Sequence, residues 1–376
     1  MANQTTFKAK KSNRCRNSFT LVEMLVALAV FVLLLVIIAA VTQGTALAVH
    51  RASGKLSTYA AARSGFDTMN EKLAQATVDT YLDYYATNAS GVGYLQTNAS
   101  VFVPSMYGRA SNLQFLVRQD SNPVAAFNTV GSSSATGYGQ EVYFQCPTAY
   151  STNAAYQSTQ GLLNACGYYV QYCNNASFRP SLITSSKWRY RLIQAIEPTD
   201  LFSVYQYAIS DSTTWTANIA NTGAGATLAA NAIPLADNVI AMIVWPRLPT
   251  GQDSVGTNLA PNYIYDSQLN AAPVYNAAAS TATQSISADQ LPPIIQVTMI
   301  VIDEASAARI DTQSATPPAA IENALKGKFI NPVNYATDLA SVESALSSPS
   351  NNIAYEVLNT SVVSRESKWS QSNTTQ

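Results

Sequence analysis

A single carboxylate, Glu23, stands in the run FTLVEMLVALAVFVLLLVIIAAV at 19–41, which is otherwise uncharged and almost wholly apolar. An acid inside a bilayer costs roughly 2.5 to 3.5 kcal/mol at the centre and less near the interface, so it marks a function and calls for a positive partner. No Lys, Arg or His lies between Phe19 and Val49. The only cation the run itself can supply is therefore an α-amine, released if the chain is cut just before Phe19. The small residue Ser18 stands at that point, and Lys8, Lys10, Lys11, Arg14 and Arg16 precede it without any acid.

Other residues with chemical potential are fewer. Asp303, Glu304 and Asp311 fall in VIDEASAARID. That segment reads as a strand ending in a helix whose first turn favours acids, and its spacing converges too few oxygens for calcium. His50 is the one histidine of the chain, so Ser-His, Cys-His and His-zinc chemistry has no set to draw on. It reads as a solvated or interfacial residue. The glycines at 132–139 lack a downstream Lys-Ser/Thr signature for phosphate. The expectation is a non-enzymatic chain with no catalytic set, metal or cofactor. Of four cysteines, Cys15 precedes the apolar run, leaving Cys146, Cys166 and Cys173 beyond it. A straight strand through 168–172 would hold Cys166 and Cys173 farther apart than the ~7 Å a disulfide spans. Cys146 paired with one of them is one reading, and three reduced thiols is the other.

The elements that must position these groups follow from periodicity. As a helix, 19–41 reaches ~35 Å at ~1.5 Å per residue, enough for a hydrocarbon core of ~30 Å. The basic flank leaves 1–18 in the cytoplasm and sends the rest outward. A cleavable secretory signal ending in TQGTALA at 42–48 is the alternative, and it leaves Glu23 unexplained. Leu56, Tyr59, Ala62, Phe66, Met69, Leu73 and Ala76 then form one apolar stripe at helical spacing, which reads as packing against the chain's own head. Gly44, Gly54 and Gly65 are places for that helix to bend or melt. Beyond it the pattern changes to short strands at 113–117, 141–145, 168–172, 188–193, 202–207, 239–245, 294–302 and 355–364. Stretches 212–232 and 250–289, low in charge and rich in small polar residues, read as surface loops. Helices are expected at 318–325 and 335–346, with a frayed tail after Trp369.

Composition narrows the class. With 47% hydrophobic and 10% aromatic residues the chain can bury a sizeable core, while charged residues reach only 11%, far below the usual quarter. Polar surface built from Ser, Thr, Asn, Gln and 21 Tyr suits an exported protein. Without 1–18 there remain 16 basic against 22 acidic residues, and no basic field for nucleic acid is present.

The order basic leader, small residue, Phe, Glu and apolar run in SFTLVEML resembles the processing site of type IV pilins and type II secretion pseudopilins. The resemblance implies cleavage between Ser18 and Phe19 by prepilin peptidase on the cytoplasmic side and N-methylation of Phe19. It also implies that Glu23, fifth residue of the mature chain, pairs with the N-terminus of a neighbouring subunit. Ser18 departs from the Gly usual before the cut. The segments WRYRLIQAIEPTDLFSVY, PLADNVIAMIVWPRLP, DQLPPIIQVTMIVIDEASAARI and VVSRESKWS are similar to protein C of the verrucomicrobial (Verru_Chthon) cassettes. More loosely, LPPIIQVTMIVID is similar to J-type minor pseudopilins.

The fold expected is α+β and pilin-like. A basic leader at 1–18 precedes a transmembrane and amphipathic helix at 19–85. A mainly antiparallel β-rich head with long loop insertions and a polar tail follows at 86–376. The partners implied are prepilin peptidase, other pilin-like subunits and the inner-membrane assembly machinery. The function expected is that of a structural minor subunit of a pilus or secretion filament. A filament-displayed adhesin or cargo-binding module, and a signal-anchored envelope enzyme, are the alternatives.

Overall fold

The computed structural model describes residues 20–87, 93–94, 103, 105–119, 140–156, 158–206, 214–220, 228–276, 278, 281–367, 369 and 374–375. The chain divides into two compact units, Met1–Ser53 and Gly54–Gln376. In the first, the described residues are helical from Leu21 onward. The second contains the rest of that helix, α1 (Leu21–Ala74), and the whole β-rich head.

Within the head unit, α1 is fixed by the stripe the sequence shows. Ala62, Phe66, Met69, Leu73 and Ala76 are buried, whereas Arg63, Asp67 and Glu71 face outward. Leu56 is 72% exposed, so the covered part of the stripe starts at the partly buried Tyr59, one turn later than the spacing predicts. The helix stays unbroken through all three glycines. At Gly65 the reason is packing: an added Cβ would lie 3.4 Å from the Cβ atoms of Leu235 and Ala236. The helix ends at Ala74 and does not run to residue 85. Arg365 N–H donates to the Ala74 carbonyl, satisfying one of the last-turn acceptors. Residues 81–85, expected as helix, belong to strand β1 (Tyr81–Thr87), which pairs with β2 (Gly93–Tyr94) and β3 (Met106–Ala110).

The main sheet is antiparallel throughout. Its strands are β4 (Leu116–Gln119), β5 (Gln140–Pro147), β6 (Leu163–Asn174), β7 (Trp188–Glu197), β8 (Ala232–Asp237) and β10 (Tyr265–Asp266), in the order β10-β4-β5-β6-β7-β8. The second sheet places β13 (Ile294–Ile302) between β9 (Val239–Arg247) and β14 (Tyr355–Val363). Strands β6, β9 and β13 are buried on both faces, which is why they read as apolar runs with little polar alternation. On one face of the main sheet Leu192 of β7 lies under Gly65 of α1; on the other, Gly167 of β6 meets the Tyr143 ring and the Ile219 carbonyl. Helices α2 (Glu304–Ile310), α3 (Ala319–Leu325) and α4 (Tyr335–Ser347) complete the head.

Several sequence expectations change here. The strand expected at 113–117 starts at Leu116, because Gln114 N–H and Phe115 N–H donate to the side chains of Gln145 and Ser267 instead of joining a ladder. The strand expected at 202–207 does not form among its described residues, 202–206: Val204–Gln206 is a 3-10 turn, preceded by another at Thr199–Leu201. Pro198 starts the first turn, and Ser203 closes the segment by donating its N–H and hydroxyl to the Glu197 carboxylate.

Nor is 250–289 a surface loop. It contributes β10, β11 (Val274–Asn276) and β12 (Thr281–Thr283), and it buries Tyr263 and Tyr265. Arg109 clasps it, donating Nε to the Ala288 carbonyl at 3.0 Å and Nη2 to the Ser285 carbonyl at 2.7 Å. Beside that clasp lies the buried Asp289, in left-handed backbone at φ 51°. Its N–H donates to the Ser267 carbonyl at 2.7 Å, and its carbonyl accepts the Thr80 hydroxyl. In 212–232, the described part includes a buried Trp215 whose Nε1 donates to Gln114 Oε1 at 2.6 Å. In the tail, Thr374–Thr375 forms β15 on β12 instead of fraying.

Candidate functional site

The N-terminal site begins with a local rule. Thr20-Leu21-Val22-Glu23 has the spacing of a capping box, in which the first residue and the fourth satisfy each other's backbone at a helix start. The structure forms it. Glu23 Oε2 accepts from Thr20 N–H at 3.0 Å and from the Thr20 hydroxyl at 3.0 Å, while Glu23 N–H donates to Thr20 Oγ1 at 3.3 Å. Thr20 is the site residue that the reading around Glu23 passes over, although its Thr-x-x-Glu signal is plain in the sequence. Ser18 and Phe19 lie outside the described residues, as does Cys15.

Behind Glu23 the helix is apolar without interruption to Val41. Leu21–Ala46, 26 residues, contains a window of mean hydropathy 3.4 with none of its residues buried. Side chains such as Phe31, Leu33 and Ile38 are exposed. In water such a surface costs roughly 25 cal/mol per Å², so the segment suits lipid or the apolar flanks of other helices. Thr42 and Thr45 return their hydroxyls to carbonyls four residues back, at 2.7 and 2.8 Å, so neither presents an unsatisfied donor. His50 lies on the helix, and its side chain is outside the described ones.

The acids near the end of β13 are engaged in holding the fold. Asp303 caps α2, accepting Ser306 N–H at 2.9 Å. Glu304 accepts from Arg189 Nη2 at 3.0 Å and Asn238 Nδ2 at 2.8 Å, and Asp311 from Arg189 Nη1 at 2.6 Å. Burial acts to raise the Glu304 pKa, but the hydrogen bonds of Arg189 and Asn238 outweigh it and hold it below the ordinary value. Arg189 is itself buried, so this is a charged clamp joining α2 to β7. Among the described residues, no three His, Cys, Asp or Glu side chains are grouped to hold a metal ion.

The three head cysteines are all buried. Cys166 and Cys173 occupy one continuous strand, seven residues apart, as the sequence argument requires. Cys146 Sγ lies 3.3 Å from Cys166 Sγ on the neighbouring strand. Cys173 Sγ lies 3.5 Å from Arg191 Nη1.

Comparison with protein families matches residues 13–39 to the prokaryotic N-terminal methylation motif. No curated protein matches the chain, and no solved structure does. The matched segment covers the basic residues Arg14 and Arg16, the Ser18-Phe19 junction, Glu23 and most of the apolar run. It supports a type IV pilin-like protein, processed by prepilin peptidase and anchored by one apolar helix.

Proposed function

We propose that the chain is a structural, non-enzymatic minor subunit of a type IV pilus or a type II secretion-like filament, most like protein C of the verrucomicrobial cassettes. Prepilin peptidase cuts between Ser18 and Phe19 and the new Phe19 amine is methylated. The subunit waits in the inner membrane with its N-terminus cytoplasmic and its head outside, until the assembly machinery moves it into the filament with other pilin-like subunits. The observation that carries this reading is the methylation motif at 13–39 in register with a single carboxylate at the start of an apolar helical span that buries none of its residues in the fold.

Glu23 then has two successive partners. In the free subunit Thr20 holds its carboxylate, so the charge is not left bare at the membrane edge. In the filament the amine of Phe19 on an adjacent subunit supplies the opposite charge, an attraction that offsets desolvation only when both charges are present. The large head, with the folded insertion at 250–289, favours a minor or tip position over a densely packed shaft. The test is the mature N-terminus, read by mass spectrometry of protein from the native envelope. A chain starting at methylated Phe19 supports the reading; an intact leader, or a cut near Ala48, overturns it.

A further inference from the structure

The central ladder of the main sheet brings together two thiols that are 20 positions apart in sequence. In the β5–β6 register Cys166 lies opposite Phe144, and Cys146 opposite Asn164. The two cysteines are therefore diagonal neighbours with side chains on the same face of the sheet. Their sulfurs are 3.3 Å apart and fully buried. Closing that contact to the ~2.05 Å of a disulfide needs a movement of only about 1.3 Å. Cys173 has no such access. It is seven residues from Cys166 along β6, on the opposite face and ~23 Å away at ~3.3 Å per residue. From the position opposite Cys146 it is nine residues, or ~30 Å.

We propose that Cys146 and Cys166 are joined by a disulfide in the exported head, with Cys173 left reduced. The site rests on the reading of the head as exported, since disulfides persist in oxidising compartments. The bond forms by exchange with a donor disulfide, of a thiol–disulfide oxidoreductase or of oxidised glutathione. The Cys146 thiolate attacks one donor sulfur and expels the other as a thiolate carrying the electron pair. The Cys166 thiolate then attacks the Cys146 sulfur of the mixed disulfide and expels the second donor thiolate. Two protein thiols are oxidised, one donor disulfide is reduced to two thiols, and the protons lost from the cysteines are available to the expelled thiolates.

Exchange must precede the final burial of the pair. In the folded head the Cys166 thiol is held well above its ordinary pKa, first by its hydrogen bond with Cys146 and then by burial, so almost no thiolate is present to react. The staple lies where the helix hands the chain to the sheet. Thr77 N–H, just past α1, donates to the carbonyl of Gln145, the neighbour of Cys146, at 2.9 Å. A disulfide there locks the ladder on which the helix end is fixed.

The test uses the full chain. It is unfolded, refolded in a glutathione redox buffer of oxidising poise, and alkylated under denaturing, non-reducing conditions before intact-mass and peptide analysis. The result expected is a peptide linking Cys146 to Cys166 and alkylation of Cys173. Cys15 takes a second label when the leader is present, and two further labels appear after reduction. Cys173→Ser should keep the crosslink and lose one label. Alkylation of both Cys146 and Cys166 before reduction, or a crosslink through Cys173, overturns the proposal. The same mass measurement on envelope protein reads the N-terminus separately. An uncut leader there counts against the pilin-like reading, while the refolding arm still decides the disulfide.

Discussion

Glu23 does two jobs at one position, and substitutions separate them. Glu23→Ala removes both the capping acceptor and the charge; Glu23→Gln keeps an acceptor oxygen of similar shape but no charge. Both should leave membrane level and leader cleavage intact, because losing a charge makes an apolar helix easier to insert. Both should cut incorporation into sheared filaments severalfold or more, and equal incorporation at equal membrane level would remove Glu23 as an assembly charge. Thr20→Val tests the holder. It loses a cap worth about 1 kcal/mol and should reduce incorporation less than Glu23→Ala, while Thr20→Ser should restore it. Asp289 gives a pH prediction at the same scale. Burial, the largest cause, pushes its carboxyl up to about 8 from an ordinary 3.8, with Arg109 pulling the other way. The folded head therefore favours the protonated acid: its contribution to stability is complete below pH ~4 and is lost as pH rises to about 8. The slope is at most about 1.4 kcal/mol per pH unit for one group. Asp289→Asn, which tolerates the left-handed φ, should flatten that decline, as read from urea midpoints at pH 5 and pH 8.

At the scale of elements, the stripe on α1 and the centre of the main sheet carry most of the packing. Met69 is fully buried in the shared core. Met69→Ala should destabilise the head by about 2 to 5 kcal/mol, the usual range for such truncations, measured by denaturant unfolding. An equal truncation at Leu56, 72% exposed, should change stability by less than about 0.5 kcal/mol. Gly167 has no room for a side chain, since an added Cβ would lie 2.7 Å from the Tyr143 ring that faces it across the ladder. Gly167→Ala should then cost about 1 to 3 kcal/mol through displacement of that ring. A neutral effect would mean that Tyr143 moves aside freely.

Taken whole, the molecule is two units with different solvents. Met1–Ser53 includes an apolar helix with no buried residue in its spanning window, and Gly54–Gln376 includes the core, both large sheets and the clasped insertion. A chain starting at Gly54 keeps every packed residue of the stripe and should be soluble, unfolding in one cooperative transition by circular dichroism and by tryptophan fluorescence alike. Non-coincident transitions, or aggregation in every buffer, would show that the head depends on the apolar half.

Some of this protein is legible without coordinates because the rules that govern it act over a few residues. The apolar run, the stripe at 3- and 4-residue spacing, the capping box and the apolar strands at 239–247 and 294–302 each announce themselves within a window of one element, and the structure forms them there. The antiparallel character of the head follows from the same local signals. What the tertiary structure decided depends on partners far away in sequence. Arg109 reaches carbonyls more than 170 residues on, turning a bland polar stretch into part of the core, and Glu197 closes 202–206 into turns where composition suggested a strand. The fate of the three cysteines belongs to the same class. Spacing excludes one pairing, but only the register of β5 on β6 selects Cys166 for Cys146, because a ladder offset of one residue would send one sulfur to the other face of the sheet.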